Sequence, residues 1–228
     1  MSKKTKDKVV IDDGCNPELV ETAFFDGILE MPKLLPLRKI IVPKGIVPFS
    51  ERNKSKNHED FVSFYEPDIN FGDFLRNPQT YINELRLFPG VISTDCSLYW
   101  DMPLAAQIVN AYRNKVSCYH CQVNNVYTIP NIRWGDERTY TTEYLPEMFP
   151  FLGVPKHSMV SVGTYGCISN QEKKYHFQCG LEAMLDELEP EIVLVYGSMP
   201  DSIFKPLLNK TRFIQFPNWT ARRHRGDA

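Results

Sequence analysis

The sequence predicts an α/β fold with a mainly parallel sheet, and three observations carry that expectation. Short apolar runs alternate with amphipathic stretches along most of the chain. The runs, Ile192 to Val195 among them, are apolar at consecutive positions, as strands buried on both faces are. Polar and charged residues gather just after the runs, whereas ordinary turn residues such as Pro89-Gly90, Asn124-Asn125 and Glu189-Pro190 precede them. About seven strands are expected from this alternation, in a TIM-barrel-like or partly open barrel. An open doubly wound sheet is the alternative that the spacing leaves standing.

Taken in order, residues 1–20 are polar and charged and are expected to form a flexible N-terminal arm. Residues 21–217 make one α/β domain, which begins with an irregular entry segment. Lys39 to Pro43 is the first strand candidate and Phe61 to Tyr65 the second, with a polar loop over Ser50 to Asp60 between them. Phe71 to Leu87 has helical character interrupted near Asn77, because Pro78 suits only a first turn. Gly90 to Thr94 is a third strand. Leu104, Ile108, Tyr112 and Val116 recur every four residues, which predicts a helix from about Pro103 to Asn124. Val126 to Ile132 is a fourth strand, and Gly135 to His157 a long loop holding one helical turn. Ser158 to Val162 is a fifth strand. Lys173 to Glu189 carries Phe177, Leu181, Met184, Leu185 and Leu188 on one face and stops at Pro190. Glu191 to Val195 and Thr211 to Phe216 are the remaining strands, separated by a short helix over Asp201 to Leu208. Residues 218–228 are read as a disordered basic tail.

Composition bounds the function. The chain has 228 residues, 43% apolar and 24% charged, enough for one sizeable core. A net charge of -2 gives no overall field for nucleic acid or an anionic membrane. No apolar run reaches the roughly 20 residues of a spanning helix. The basic start Met1 to Lys6 lacks an apolar segment after it, so a cytoplasmic protein without a signal peptide is expected. The six cysteines are expected as free thiols.

In parallel α/β folds, ligands bind at the carboxyl ends of the strands. The residues expected there are chemically capable. Asp95, Asp101, Asp136 and Glu137 are the candidate catalytic groups, for general acid/base work or for holding a hard cation such as magnesium (Mg2+). Asp101 has a second reading as a cap for the helix that follows. Arg133 would fork onto a phosphate or carboxylate, or pair with Asp136 or Glu137. Ser97, Tyr99, Asn131 and Trp134 would line the same site, with packing as the other role for Trp134. Thr164 and Gly166, and Tyr196, Gly197 and Ser198, form two turns whose backbone would approach a phosphate closely. Cys118-Tyr-His-Cys121 has the look of half a zinc site without a second pair. Cys167 is a weaker nucleophile candidate.

Several of these stretches occur together in one family. Asp95-Cys-Ser-Leu-Tyr-Trp-Asp-Met-Pro103, Asn110-Ala-Tyr-Arg-Asn114, Ile129-Pro-Asn-Ile-Arg-Trp-Gly-Asp136, Gly163-Thr-Tyr-Gly166, Gly180-Leu-Glu-Ala-Met184 and Val195-Tyr-Gly-Ser-Met-Pro200 resemble a domain-of-unknown-function family, number forty-four seventeen. The resemblance spans roughly residues 60 to 217. Cys96 stands where that family typically has an aromatic residue, and the loop Tyr140 to Pro155 is longer than usual. The resemblance implies a phage or mobile-element setting in bacteria and no particular activity. The readings that follow are a hydrolase or glycosyl-transfer-type enzyme acting on a nucleotide, nucleic-acid or glycosidic bond; a non-catalytic protein that captures a small anionic, nucleotide-like ligand; and a DNA-binding replication accessory, which the acidic balance disfavours.

Overall fold

The computed structural model describes residues 14–55 and 58–224. The expected N-terminal arm lies mostly outside the described residues, as does the tail beyond His224. The part of the arm that is described is folded: Pro17–Val20 forms a 3-10 turn, and Val20 is buried in the core.

Among the described residues nine strands form three sheets. A small antiparallel pair joins β1 (Phe25–Asp26) to β2 (Met31–Pro32). A four-stranded parallel sheet runs in the order β3 (Ile46–Pro48), β4 (Phe61–Ser63), β5 (Val91–Ile92), β6 (Thr128–Ile129). A three-stranded parallel sheet runs β7 (Met159–Gly163), β8 (Ile192–Tyr196), β9 (Arg212–Phe216). The order is sequential in both parallel sheets, without the reversal that marks a doubly wound sheet. The two are linked by one parallel bridge, Asn131 to Ser161. There Ser161 N donates to Pro130 O at 2.9 Å and Ile132 N to Ser161 O at 2.9 Å. Pro130 has no N–H of its own, which limits the ladder at this seam. Among the described residues β9 is not paired with β3, so the strands do not make a clear seven-strand barrel.

One expected strand and the expected tail are built differently. Lys39 to Pro43 is not a strand. Its backbone is held by a side chain instead: Ile41 N donates to Tyr127 Oη at 3.1 Å, and Tyr127 Oη donates to Lys39 O at 2.9 Å. The first parallel strand is the next apolar run, Ile46–Pro48. The 218–228 tail is not disordered where it is described. Trp219–His224 forms helix α7, to be described with the other helices.

The helices follow the sequence closely. The Phe71 to Leu87 region breaks at Asn77 into α1 (Gly72–Arg76), a 3-10 turn begun by Pro78, and α2 (Ile82–Leu85). Helix α3 spans Leu104–Val123 and α4 is the single turn Glu137–Tyr140. Helix α5, Gln171–Leu188, is capped by Asn170, whose side chain accepts from Lys173 N. Asp201–Phe204 forms α6. Helix α7 is anchored to distant parts of the chain. Trp219 N donates to Tyr196 Oη at 2.8 Å, and Arg222 pairs with the buried Asp60 at 2.8 Å.

Packing separates the two faces of the parallel strands. Val47, Val62 and Val91 point at Phe74, Ile82 and Leu85 of the α1–α2 region. Val160, Val162, Val193 and Val195 point at Phe177, Leu181, Met184 and Leu185 of α5. On the other face Ile46, Phe61, Ile92, Ile129, Met159, Ile192, Leu194, Tyr196 and Phe216 meet in one buried cluster. Every parallel strand contributes to that interior, which the period of two along a strand makes possible.

Two positions make this packing sensitive. Gly180 lies against Trp134, and a Cβ built there would sit 2.2 Å from the indole ring. Gly180→Ala is expected to lower unfolding stability by about 1–3 kcal/mol through overpacking, read by denaturant melts followed on tryptophan fluorescence. Lys115 is buried in α3, donates from Nζ to Pro150 O at 2.9 Å, and is pushed down to about 8 by burial. Between that value and the ordinary 10.5 the unfolded chain binds more protons than the folded one, so Lys115 makes stability rise with pH across this window. Lys115→Met is expected to remove that component, seen as a wild-type minus variant difference in stability that changes between pH 8 and pH 10.5.

Candidate functional site

The alternation that fills the interior also delivers the site. Continuing the inward-facing positions toward the carboxyl ends leads from Phe61 to Tyr65, from Ile129 to Asn131 and Arg133, from Met159 to Ser161 and Gly163, and from Ile192 to Tyr196. Ile132 and Trp134, the alternate residues, lie in the helix-facing cluster. Apolar side chains thus give way to polar ones along the same face.

These polar groups form one network. Asp95 follows β5, and its Oδ1 accepts from Asn131 Nδ2 at 2.8 Å while Oδ2 accepts from Arg133 Nη1 at 3.0 Å. The two charged side chains are only 11% and 13% exposed. Because Asn131 turns its amide NH2 to Asp95, its Oδ1 is left as an acceptor, and Tyr65 Oη donates to it at 2.8 Å. Tyr65 Oη also lies 2.7 Å from Ser161 Oγ. The Tyr65 ring stacks on Tyr196 with centroids 4.8 Å apart. Gly163 makes room for it, since a Cβ there would come within 2.7 Å of the ring.

Helix α3 fixes the Asp95 turn from behind. Asn114 Oδ1 accepts from Cys96 N at 2.8 Å and from Thr94 Oγ1 at 3.0 Å, and Asn110 Nδ2 donates to Ser97 O at 2.8 Å. Asp68 accepts from both Ser97 N and Ser97 Oγ. Asn110 and Asn114 are one helical turn apart and so present their amides on one face, together with the buried Gln107 and Ser117.

Burial dominates the electrostatics. It raises the Asp95 carboxyl, against the opposing pull of Arg133 and the Asn131 hydrogen bond. Burial works to lower the Arg133 guanidinium, but the charges around it, Asp95 foremost, leave it raised and firmly protonated. The Tyr65 phenol is pushed well above its usual value by burial and by Asp95, so it acts as a neutral donor. Burial also raises the Cys167 thiol against the help of Arg133, which removes the thiolate a nucleophile needs.

Above this network opens a cleft of about 910 Å³, within the size range of small-ligand sites. Of the residues expected at the site, Asp95, Ser97, Tyr99, Arg133, Gly166 and Tyr196 line it. Trp134 lines a side pocket of about 50 Å³ that shares Tyr99, Arg133, Gly163, Gly166 and Lys173 with the cleft. Trp134 is otherwise a packing residue, buried against Phe177 with Nε1 donating to His176 O at 3.1 Å.

The other expected residues are placed elsewhere. Asp101 is exposed and does not cap α3, whose N-cap Pro103 is without a side-chain capping bond. Asp136 caps α4 and is paired with Arg138, which also donates to Trp100 O and Met102 O. Glu137 faces His176 at 3.6 Å. Asp136 and Glu137 thus have partners of their own, and Arg133 pairs with Asp95 and not with either of them. Thr164 Oγ1 donates to Ser198 O at 2.8 Å, and Gly197 takes φ +115° with Thr164 Oγ1 filling the space of a Cβ. Thr164, Gly197 and Ser198 are turned to one another and do not line the cleft, unlike their neighbours Gly166 and Tyr196. Cys118 and Cys121 are buried, and among the described residues no three His, Cys, Asp or Glu side chains converge to hold a metal ion.

Tyr65, Glu66, Tyr165, Lys173, Asn218, Trp219 and His224 also line the cleft, and none of them is singled out by the sequence. Lys173 looked like one more exposed residue of a helix. Asn218 to His224 were hidden by the basic composition around them.

The family described as Domain of unknown function (DUF4417) matches residues 23–217. The chain belongs to that family. It is similar to the Gene 1 protein of Mycobacterium phage L5, 25% identical over 173 residues that cover 75% of this chain and 72% of the phage protein. The Gene 1 protein of Mycobacterium phage D29 is 25% identical over 138 residues, 60% of this chain and 48% of that protein, so the match spans about half of its length. No solved structure matches the chain. Among the described residues no helix is long and apolar enough to cross a membrane.

The buried pair yields a direct test. Removing Arg133 leaves Asp95 without its counter-charge, at a cost of about 3–5 kcal/mol at neutral pH. A carboxyl whose folded pKa is raised still further contributes most below its ordinary 3.8 and loses that contribution as pH rises. Arg133→Met is therefore expected to be least destabilised in acid and increasingly so toward neutrality. Adding Asp95→Asn should restore part of the loss, as a double-mutant cycle in denaturant would report.

Proposed function

We propose that this protein is an enzyme acting on a nucleotide-like substrate in the cleft at the carboxyl ends of the parallel strands. The observation that carries this reading is Asp95, a buried carboxyl with a raised pKa, standing at the floor of a ligand-sized cleft. Such groups concentrate at sites of proton transfer. Asp95 would take a proton from an attacking water or give one to a leaving oxygen at a nucleotide, nucleic-acid or glycosidic bond. Arg133 would hold Asp95 in place and keep charge balanced as the proton moves. Tyr99 and Tyr165, exposed by 48% and 78% and lining the cleft, offer faces for a base or sugar ring. We read the shared interior as that of a partly open barrel, and the setting as the cytoplasm of a phage-bearing bacterial cell, in keeping with the phage relatives.

A second reading is capture of the same ligand without chemistry. It is favoured by the fact that both Asp95 oxygens already accept hydrogen bonds. A DNA-binding accessory role draws little from this cleft, in which Glu51, Glu66 and Asp95 face its cations.

Incubation of the purified protein with nucleotides and oligonucleotides, followed by mass spectrometry, separates these readings. Conversion by the wild type, reduced about 100-fold or more in an Asp95→Asn variant with native circular dichroism, is the expected result. Tight binding with every ligand recovered unchanged would replace catalysis by capture.

A further inference from the structure

We propose that Lys173, not Arg133, carries the anion subsite of this cleft, and that it holds the phosphoryl end of a nucleoside phosphate. The proposal rests on the reading of the cleft as a nucleotide-type site and fixes which way round the ligand lies.

Arg133 is poorly placed to provide net attraction for an anion. Its charge is matched by Asp95 at 3.0 Å, and an incoming phosphate would meet the carboxylate together with the guanidinium. Lys173 differs. It is half-buried in the first turn of α5, forms no ion pair among the described residues, and lines both the cleft and its side pocket. A lone ammonium against low-dielectric walls retains attraction for an anion that a matched pair has lost. The backbone around it is open. Gly166 takes φ +76° and a Cβ there would meet nothing within 4 Å, so a phosphoryl group can approach the turn closely.

The remainder of the cleft has the opposite character. Glu66 accepts from Ser50 N at 3.0 Å and from Asn70 Nδ2 at 3.0 Å, and its oxygens keep lone pairs for more donors. Glu66 with Asn70 and Asn218 suits the hydroxyls of a sugar or the amino and imide groups of a base. The cleft is thus polarised, with a cation at the side-pocket end and carboxylate and amides elsewhere.

The test is isothermal titration of the full chain with common ribonucleosides, their 5′-monophosphates and inorganic phosphate. Wild type, Lys173→Gln and Glu66→Gln are compared, both substitutions lying on side chains outside the buried core. In the wild type a monophosphate should bind about tenfold or more tightly than its nucleoside. Lys173→Gln should erase that advantage and abolish phosphate binding. Glu66→Gln should weaken the nucleoside and keep the phosphate advantage. Equal binding of nucleoside and monophosphate, unchanged in Lys173→Gln, would overturn the subsite and leave the cleft reading standing. A wild type that binds none of these ligands would overturn both.

Discussion

Taking a carboxylate out of water costs several kcal/mol unless charge and hydrogen bonds replace the lost hydration. Asp95 is the place where this protein meets that constraint. The compensation comes from different parts of the chain: Arg133 and Asn131 beyond β6, Tyr65 and Ser161 behind Asn131, and Asn114 of α3 holding the turn itself. Each partner is useful only if its strand stands at the right height relative to the others. A demand for solvation at one oxygen pair thus becomes a demand on the relative placement of β4 through β7. The bridge between Asn131 and Ser161, the single ladder contact between the two parallel sheets among the described residues, sits at the centre of this arrangement.

Much of this arrangement was written in the alternation of residues along the strands. Phe61, Tyr65, Ile129, Asn131 and Arg133 share a face by alternation, and the position of Asn131 and Arg133 just after an apolar run is what placed them at the strands' carboxyl ends in the sequence. The break at Asn77 and the span of α5 were equally legible, because proline chemistry and an apolar stripe act locally. What could not be read was which charges pair. Asp136 precedes Arg138 by two residues and was captured by it, while Arg133 crossed to Asp95, 38 residues away in sequence. Sequence proximity favoured Asp136 as the partner of Arg133, and three-dimensional placement decided otherwise. The strand expected at Lys39 to Pro43 failed for a related reason. A side chain, Tyr127, satisfies its backbone where a neighbouring strand was expected to do so.

The family match ends at residue 217, which takes in every strand. Helix α7 lies beyond that boundary, yet Trp219, Thr220, Ala221 and His224 line the cleft. The shared part of the fold supplies the floor, with Asp95, Arg133 and Tyr65. One wall comes from a segment outside the match.

Helix α7 also follows all nine strands along the chain, and its anchors reach far back, Arg222 to Asp60 and to Ile46 O, 176 residues away. Two stretches far apart in the described chain are thereby tied together, and a change that loosens the segment around Ile46 and Asp60 also loosens the wall that α7 lends to the cleft.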